Sequence, residues 1–347
     1  MTVRLSVVVA SLGMALMPVS VSAQTPVLTE QDAHTTALFQ AVSVSAINPR
    51  IAWISGHAGT WARTINGGAT WESHVMTGHD SLQFRDVHAI DANRAWLMAA
   101  GTGAKSGIFR TFDGGESWTQ DFVNQDTAAF YDCMAFWDDS HAFAFSDAVH
   151  ARTPIARTDD GQEWTVSSIP SLEGEGGFAA SGGCAQASLT TADAWMGTGS
   201  AVTPRVRHSA DRGRTWSDAS VPLVGGSGAG ITALAFRDVR HGIAVGGVIS
   251  GTATGPRVAR TTDGGRTWTV VNEPPFTGAI YGVSYGTVRG KAILVAVGPG
   301  GAAWSVNDGE TWTLLDSAAY WSVGLARRGS GWLVGPNGRV VRLDWRR

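Results

Sequence analysis

Six times along the chain a short corner recurs. It reads Ser or Thr, a variable residue, Asp or Asn, a Gly-rich pair, a variable residue, Ser or Thr, then Trp. The copies occupy residues 64–71, 111–118, 158–164, 209–216, 261–268 and 305–312, the third being one residue short. Their tryptophans, Trp71, Trp118, Trp164, Trp216, Trp268 and Trp312, follow one another at intervals of 44 to 52 residues. A fixed period of this size marks a row of like supersecondary units, each unable to bury its apolar face alone. It suits one four-stranded propeller blade per unit.

The chemistry of the corner is conformational. Asn66, Asp113, Asp160, Asp211, Asp263 and Asn307 hold the position at which a short polar side chain accepts backbone N–H groups two residues on. The glycines supply the positive φ that a hairpin turn demands. The Trp is a large apolar wedge with one N–H to satisfy. Six near-identical turns are staples of a scaffold rather than six catalytic sites. Each loop also carries too few acidic ligands to build a calcium cage.

A second element gives the number of units. A small residue followed by a bulky apolar run recurs at 52–56, 95–97, 142–146, 194–197, 242–246, 292–295 and 331–335. An apolar strand precedes each, starting near Phe39, Phe84, Phe130, Phe178, Ile231, Ile280 and Tyr320. The chain is therefore all-β, a seven-bladed β-propeller of four-stranded antiparallel blades. Its seventh unit stops at 339–345 and lacks a last strand. Open edges are a liability that ring closure removes. The segment around residues 26–30 has no other role, so it is expected to close the ring as the outer strand of the last blade.

The first 23 residues read as a signal peptide, with Arg4 before an apolar run over 5–21 and a Val-Ser-Ala end before Gln24. The mature propeller then spans 24–347. No later stretch reaches transmembrane length, so the expectation is a monomer that is periplasmic or secreted. With 44 Gly, 15 Trp and 16% charged residues, the composition favours short strands and tight turns. A formal net charge of −3 gives no general attraction to nucleic acid or anionic membrane. Two cysteines occur, Cys133 and Cys184. The repeat places both in inner strands of neighbouring blades at similar depth, where a disulfide is expected in an oxidising compartment. Two buried thiols are the alternative.

The corners and the Trp-containing strands resemble the BNR or Asp-box repeat families. These include the sialidases and the photosystem II assembly and stability factor-like propellers. The Arg-Thr-x-Asp-Gly-Gly-x-Ser/Thr-Trp form at 110–118 and 260–268, the spacing and the seven units favour the second group. The resemblance covers residues 27–345 and implies a binding or assembly role.

Strand order separates two faces. The corners join the third and fourth strands and share one face. Loops between second and third strands, and between blades, share the other, and binding residues gather on such loops. Long loops at 146–154, 198–204 and 249–256, with connections at 171–177 and 224–230, bias that face to blades three to five. The starts of the inner strands line the axial mouth with Gln40, Arg85, Asp86, Tyr131, Asp132, Tyr281, Tyr320 and Trp321. Loops add His57, Asp147, His150, Arg152, Glu173, Glu175 and Arg205. Tyr and Trp among a few charges suit a protein or peptide partner, with Gln40, Arg85, Tyr131, Asp132, Glu173, Tyr281 and Trp321 as candidate binding residues; filling of the channel by the aromatics is the alternative. A glycosidase is the competing reading. Sialidase-like chemistry needs three arginines, a Tyr nucleophile with a Glu partner, and an Asp acid, of which Arg85 and Tyr281 are fragments. Other glycosidases need two facing carboxylates, for which Asp132 with Glu173 or Glu175 are the candidates. No His or Cys pair has metal-ligand spacing, no Gly-rich turn opens a helix to hold phosphate, and no cofactor is expected.

Overall fold

The computed structural model describes residues 25–250 and 254–345. The leader reading at 1–23 lies outside the described residues. Among these residues 28 strands form seven four-stranded antiparallel sheets. The inner strands run Phe39–Val44, Phe84–Ala89, Tyr131–Phe136, Ala185–Ala187, Ala229–Phe236, Gly282–Val288 and Ser322–Leu325. Each packs beside the next, and Ser322–Leu325 returns to Phe39–Val44, so the sheets form a closed ring. No helix among the described residues is long and apolar enough to cross a membrane.

Closure is made as the missing last strand required. Pro26–Asp32 pairs antiparallel with Arg339–Trp345 along its whole length, Pro26 opposite Trp345 and Asp32 opposite Arg339. One side chain fixes the register of this seam. The Oε1 atom of Gln31 accepts the indole N–H of Trp71 and that of Trp332, both at 2.9 Å. Those two rings meet edge to face, 5.8 Å between centroids. Blade seven is thereby tied to the corner of blade one.

Between blades the core is a ring of separate apolar seams. Trp53, Phe84, Leu97 and Phe109 fill the first, and Trp96, Met98, Tyr131 and Phe136 the second. Trp53, Trp96, Trp195 and Trp332, all from second strands, are fully buried. Strands buried on both faces read as continuous apolar runs, which is why these segments stood out in the sequence.

The corners reach further than two residues. In five copies the Asp or Asn Oδ1 accepts the N–H four residues on, as Asn66 does from Thr70 at 3.0 Å and Asp263 from Thr267 at 3.0 Å. The leading Thr or Ser hydroxyl accepts the N–H four residues on as well, from Gly68 to Thr64 at 2.9 Å. Two consecutive left-handed residues create this wider loop, such as Gly114 and Gly115 at φ 79° and 90°. The short third copy has a single one, Gly161, and there Asp160 accepts from Gln162 and Glu163 instead. In the fourth copy Arg212 takes the first left-handed position at φ 58°.

The inner strand of blade four differs from the sequence reading. It starts at Ala185 rather than near Phe178 and has three residues. Phe178 instead belongs to a strap, residues 177–183, that crosses the ring axis. Glycine lets it do so: a Cβ on Gly183 would stand 3.0 Å from that of Ala233 in blade five, and one on Gly177 only 2.6 Å from Asp132 Cβ in blade three.

Two outcomes follow. Gln31→Leu strands two indole N–H groups at the seam and lowers unfolding free energy by about 2 kcal/mol in urea titration. Arg212→Gly relieves a side chain held at positive φ and raises stability by up to about 1 kcal/mol in the same assay.

Candidate functional site

A repeated irregularity decides which side chains face the axis. In blades one, two, three and five the pairing of the inner strand jumps by one residue near its start. It passes from Phe39 to Ala41, Phe84 to Asp86, Tyr131 to Cys133 and Ile231 to Ala233. A β-bulge leaves one residue unpaired and re-aims its side chain. The residues set free are Gln40, Arg85, Asp132 and Thr232, all at one level of the ring and on the face opposite the corners.

These four meet the strap and its surroundings. Gln40 Nε2 donates to the carbonyls of Ala179 and Ala180 at 3.3 and 3.4 Å, and Arg85 Nη1 to that of Ala179 at 3.4 Å. Thr232 Oγ1 donates to the Ile280 carbonyl. On the far side of the axis the Ser181 hydroxyl donates to the Tyr281 carbonyl at 2.6 Å, and the Ser322 hydroxyl to the Ser181 carbonyl at 3.1 Å. The strap thus floors the axial mouth and closes it from this face. Above it lies a cleft of about 290 Å³, floored by Phe178, Ala179 and Ala180 and walled by Gln40, His57, Arg85, Ile249, Tyr281 and Trp321. Tyr281 and Trp321 stand edge to face, 5.2 Å apart.

Arg85 is the electrostatic centre of this cleft. Its Nε and Nη2 donate to Gln83 Oε1 at 3.0 and 2.5 Å, and its guanidinium lies over the Phe130 ring at 5.9 Å. Among the described residues no carboxylate lies within ion-pair distance of it. Its oxygen partners are neutral, so its charge is positioned without being cancelled. Burial lowers its pKa, and the field of Asp132 opposes this. His57 Nε2 lies 2.5 Å from Gln40 Oε1, and burial, then the charge of Arg85, holds it below the usual imidazole range. A second cleft of about 330 Å³ opens on the other side of Arg85, bounded by Gln83, Thr102, Lys105 and Phe130.

Of the seven binding candidates read from sequence, four converge here: Gln40, Arg85, Tyr281 and Trp321. Tyr131 does not. It is buried in the seam between blades two and three against Phe122, 5.0 Å between centroids, because it precedes the bulge and keeps its inward pairing. Asp132 is buried under Gly177. Glu173 is exposed on the rim. Tyr320 is buried too, its hydroxyl donating to Asp316 at 2.5 Å.

Glu175 has a different part. Its carboxylate, fully buried, pairs with Arg205 and with Arg207 at 2.9 Å, and accepts the hydroxyls of Ser171 and Thr198, both at 2.6 Å. Burial would raise this carboxyl. The bonds from Arg205, Ser171 and Thr198, with the charge of Arg207, override it and hold the pKa at about 2. Among the described residues no pair of carboxylates faces across the cleft: Asp132 lies under Gly177, Glu175 is taken up by arginines, and Glu173 stands on the rim. Cys133 and Cys184 are joined by a disulfide, Cα atoms 5.8 Å apart, at the end of the strap. Sequence reasoning had no signal for the strap; the run of Gly at 174, 176, 177, 182 and 183 was its only trace.

Together these features define a seven-bladed propeller whose axial mouth is closed by a strap on one face, beneath a cleft that is positively charged at its centre and aromatic at its wall. Matching folds occur among solved structures. One described as YCF48 bound to D1 peptide superposes with a TM-score of 0.62 at 16% identity, over 93% of this chain and 97% of that one. YCF48 from Cyanidioschyzon merolae gives 0.62 at 14% identity, over 91% and 98%. The structure of U3-55K gives 0.62 at 11% identity, also over 91% and 98%. At these identities the likeness is one of fold. The sequence matches no family profile and no curated protein.

Replacing Glu175 tests the buried ion cluster. Glu175→Gln leaves Arg207 without its buried counter-charge, a loss of about 3–5 kcal/mol at neutral pH. Because the folded carboxyl sits below the ordinary 4.5, its stabilisation is complete above that value and fades as pH falls toward about 2. Denaturant titrations at pH 7 and pH 3 should show the gap between wild type and variant narrowing in acid.

Proposed function

We propose that the chain is an exported binding or assembly propeller that holds an extended segment of a protein partner in the cleft opposite the corners. The observation that carries this reading is Arg85, oriented by the neutral Gln83 and left with its charge free between aromatic walls. A guanidinium placed in this way receives a carboxylate or a row of peptide carbonyls. Tyr281 and Trp321 supply rigid apolar area of the kind that anchors peptide side chains. That a protein of the same fold is described as bound to a D1 peptide supports a peptide ligand for this architecture. The bulged residues, with the strap beneath them, present a shaped floor rather than an open pore, which suits a segment lying across the face. Removal of residues 1–23 on export, a monomeric mature chain and membership of the Asp-box propellers belong to the same reading.

An array of synthetic peptides of varied charge, probed with the purified mature chain, tests it. Peptides with an acidic group beside apolar residues should be retained. Arg85→Ala and Trp321→Ala should each weaken retention about tenfold or more, near 1.4 kcal/mol. Gln83→Glu, which gives Arg85 an internal counter-charge, should do the same with the fold intact. Retention indifferent to all three changes places the partner elsewhere.

A further inference from the structure

The strap is gripped at both ends. At its far end Cys184 is bonded to Cys133. Just before it, Gly176 exchanges both backbone hydrogen bonds with Gly199, at 3.0 and 2.8 Å, and Glu175 is locked by its arginines. Between these grips residues 178–183 cross the axis on long bonds from Gln40 and Arg85 to Ala179 and Ala180, then on shorter ones at Ser181, whose hydroxyl donates to the Tyr281 carbonyl at 2.6 Å, and at Gly183, whose carbonyl accepts the Leu234 N–H at 2.8 Å. Where the strap leaves the wall, the Gly177 N–H donates to Asp147 Oδ1 at 3.0 Å. The Asp132 carboxyl lies directly beneath Gly177, so close that a Cβ there would stand 2.6 Å from Asp132 Cγ.

Asp132 is 2% exposed, and its Oδ2 finds no donor among the described residues. The Asp132 and Asp147 carboxyls both lie against the backbone of Gly176 and Gly177, and a hydrogen bond between them requires a proton on one of the two. Two neighbouring carboxyls, one fully buried and one partly so, do not both ionise cheaply; they hold one proton between them. Burial, then the charge of Asp147, pushes Asp132 well up, and burial raises Asp147 to about 6 against the pull of the Gly177 N–H.

The other charges around the pair are few. Arg85 and Asp86 come from the inner strand of blade two. The Asp86 carboxyl, which lies against the strap at Gly182, is pushed well up by burial although it accepts the N–H groups of Val87 and Met134 at 2.7 and 2.8 Å. Glu175 turns its carboxylate to Arg205 and Arg207. His150 and Arg152, in the turn after Asp147, are exposed, and the blade-four inner strand, Ala185–Ala187, carries no titratable group. Arg85 is therefore the cation that bears on the pair, and it does so through its field rather than by contact.

We propose that Asp132 and Asp147 form a one-proton latch on the strap, so that the cleft keeps its floor while the pair holds a proton and loosens when it loses it. The latch belongs to the fold and stands whether or not the cleft takes a peptide. Closing the strap takes up protons, because both carboxyls lie above their ordinary range when it is closed. The stabilisation is complete in acid below that range and drains as pH rises through about 6 and beyond. Asp132 and Asp147 are positioning residues in this scheme.

Amide exchange of residues 178–183, corrected for the intrinsic rate and followed from pH 6 to pH 9, tests the latch on the unliganded mature chain. Protection of the strap should fall about tenfold or more over that range, while amides of the second strands stay constant. Asp132→Asn keeps a donor toward Asp147 without an ionisable proton, and should flatten the profile. Carboxyl-carbon NMR of the wild type, with Asp labelled, supplies a reading that needs no variant: two coupled resonances should titrate near or above 6. A flat strap profile in the wild type, a slope that survives Asp132→Asn, or two carboxyls titrating in the ordinary range would each overturn the latch.

Discussion

The ring is closed by backbone pairing between the two ends of the chain. Residues 26–32 lie against residues 339–345 over seven residue pairs, and every other blade takes its position from a circle that this seam completes. A propeller blade has no stable existence as an open sheet, because its inner apolar faces are covered only by its neighbours. Gln31 concentrates the specificity of the seam. One amide oxygen satisfies the indoles of two blades, so a slip by one residue would leave both without an acceptor while turning the strand's side chains to the wrong face.

Below this level the structure separates support from presentation. The corners lie on one face and satisfy themselves: their Asp and Asn carboxylates and amides spend their acceptors on the loop that contains them. The bulges lie near the other face and do the opposite. Each one frees a residue from the ladder and turns it toward the axis, where Gln40, Arg85, Asp132 and Thr232 find the strap or its neighbours as partners. A regular scaffold thus carries an irregular surface at a single level of the ring.

The charges on that surface have been treated unequally. Glu175 is wholly buried and wholly satisfied, which holds the base of the strap at a cost in desolvation that its two arginines offset. Arg85 is only half-buried and meets neutral oxygens, so its field extends into the cleft. Asp132 is buried and shares a proton with Asp147. One group stabilises, one attracts and one responds to pH, and burial together with the nature of the partner decides which.

The sequence by itself determined the repeat and hence the ring. Six corners at a near-constant interval, seven apolar second strands and one missing outer strand leave a seven-bladed closure as the economical arrangement, since period and apolar pattern are local properties of a chain. The meeting of Cys133 with Cys184 was legible for the same reason, through equivalent positions in adjacent units. Six of the seven binding candidates were read from the starts of inner strands, and four of these, Gln40, Arg85, Tyr281 and Trp321, line one cleft. Tyr131 was misplaced by a shift of a single residue, because a bulge is set by how two strands pair and leaves no mark in either one. The strap lay further out of reach. Phe178 opens an apolar run that resembles an inner strand, and only the crowding of glycines against Asp132 and Ala233, from blades far apart in sequence, turns it across the axis instead. The pairing of Asp132 with Asp147 and the free charge of Arg85 depend on that crossing, and so were decided by the tertiary structure alone.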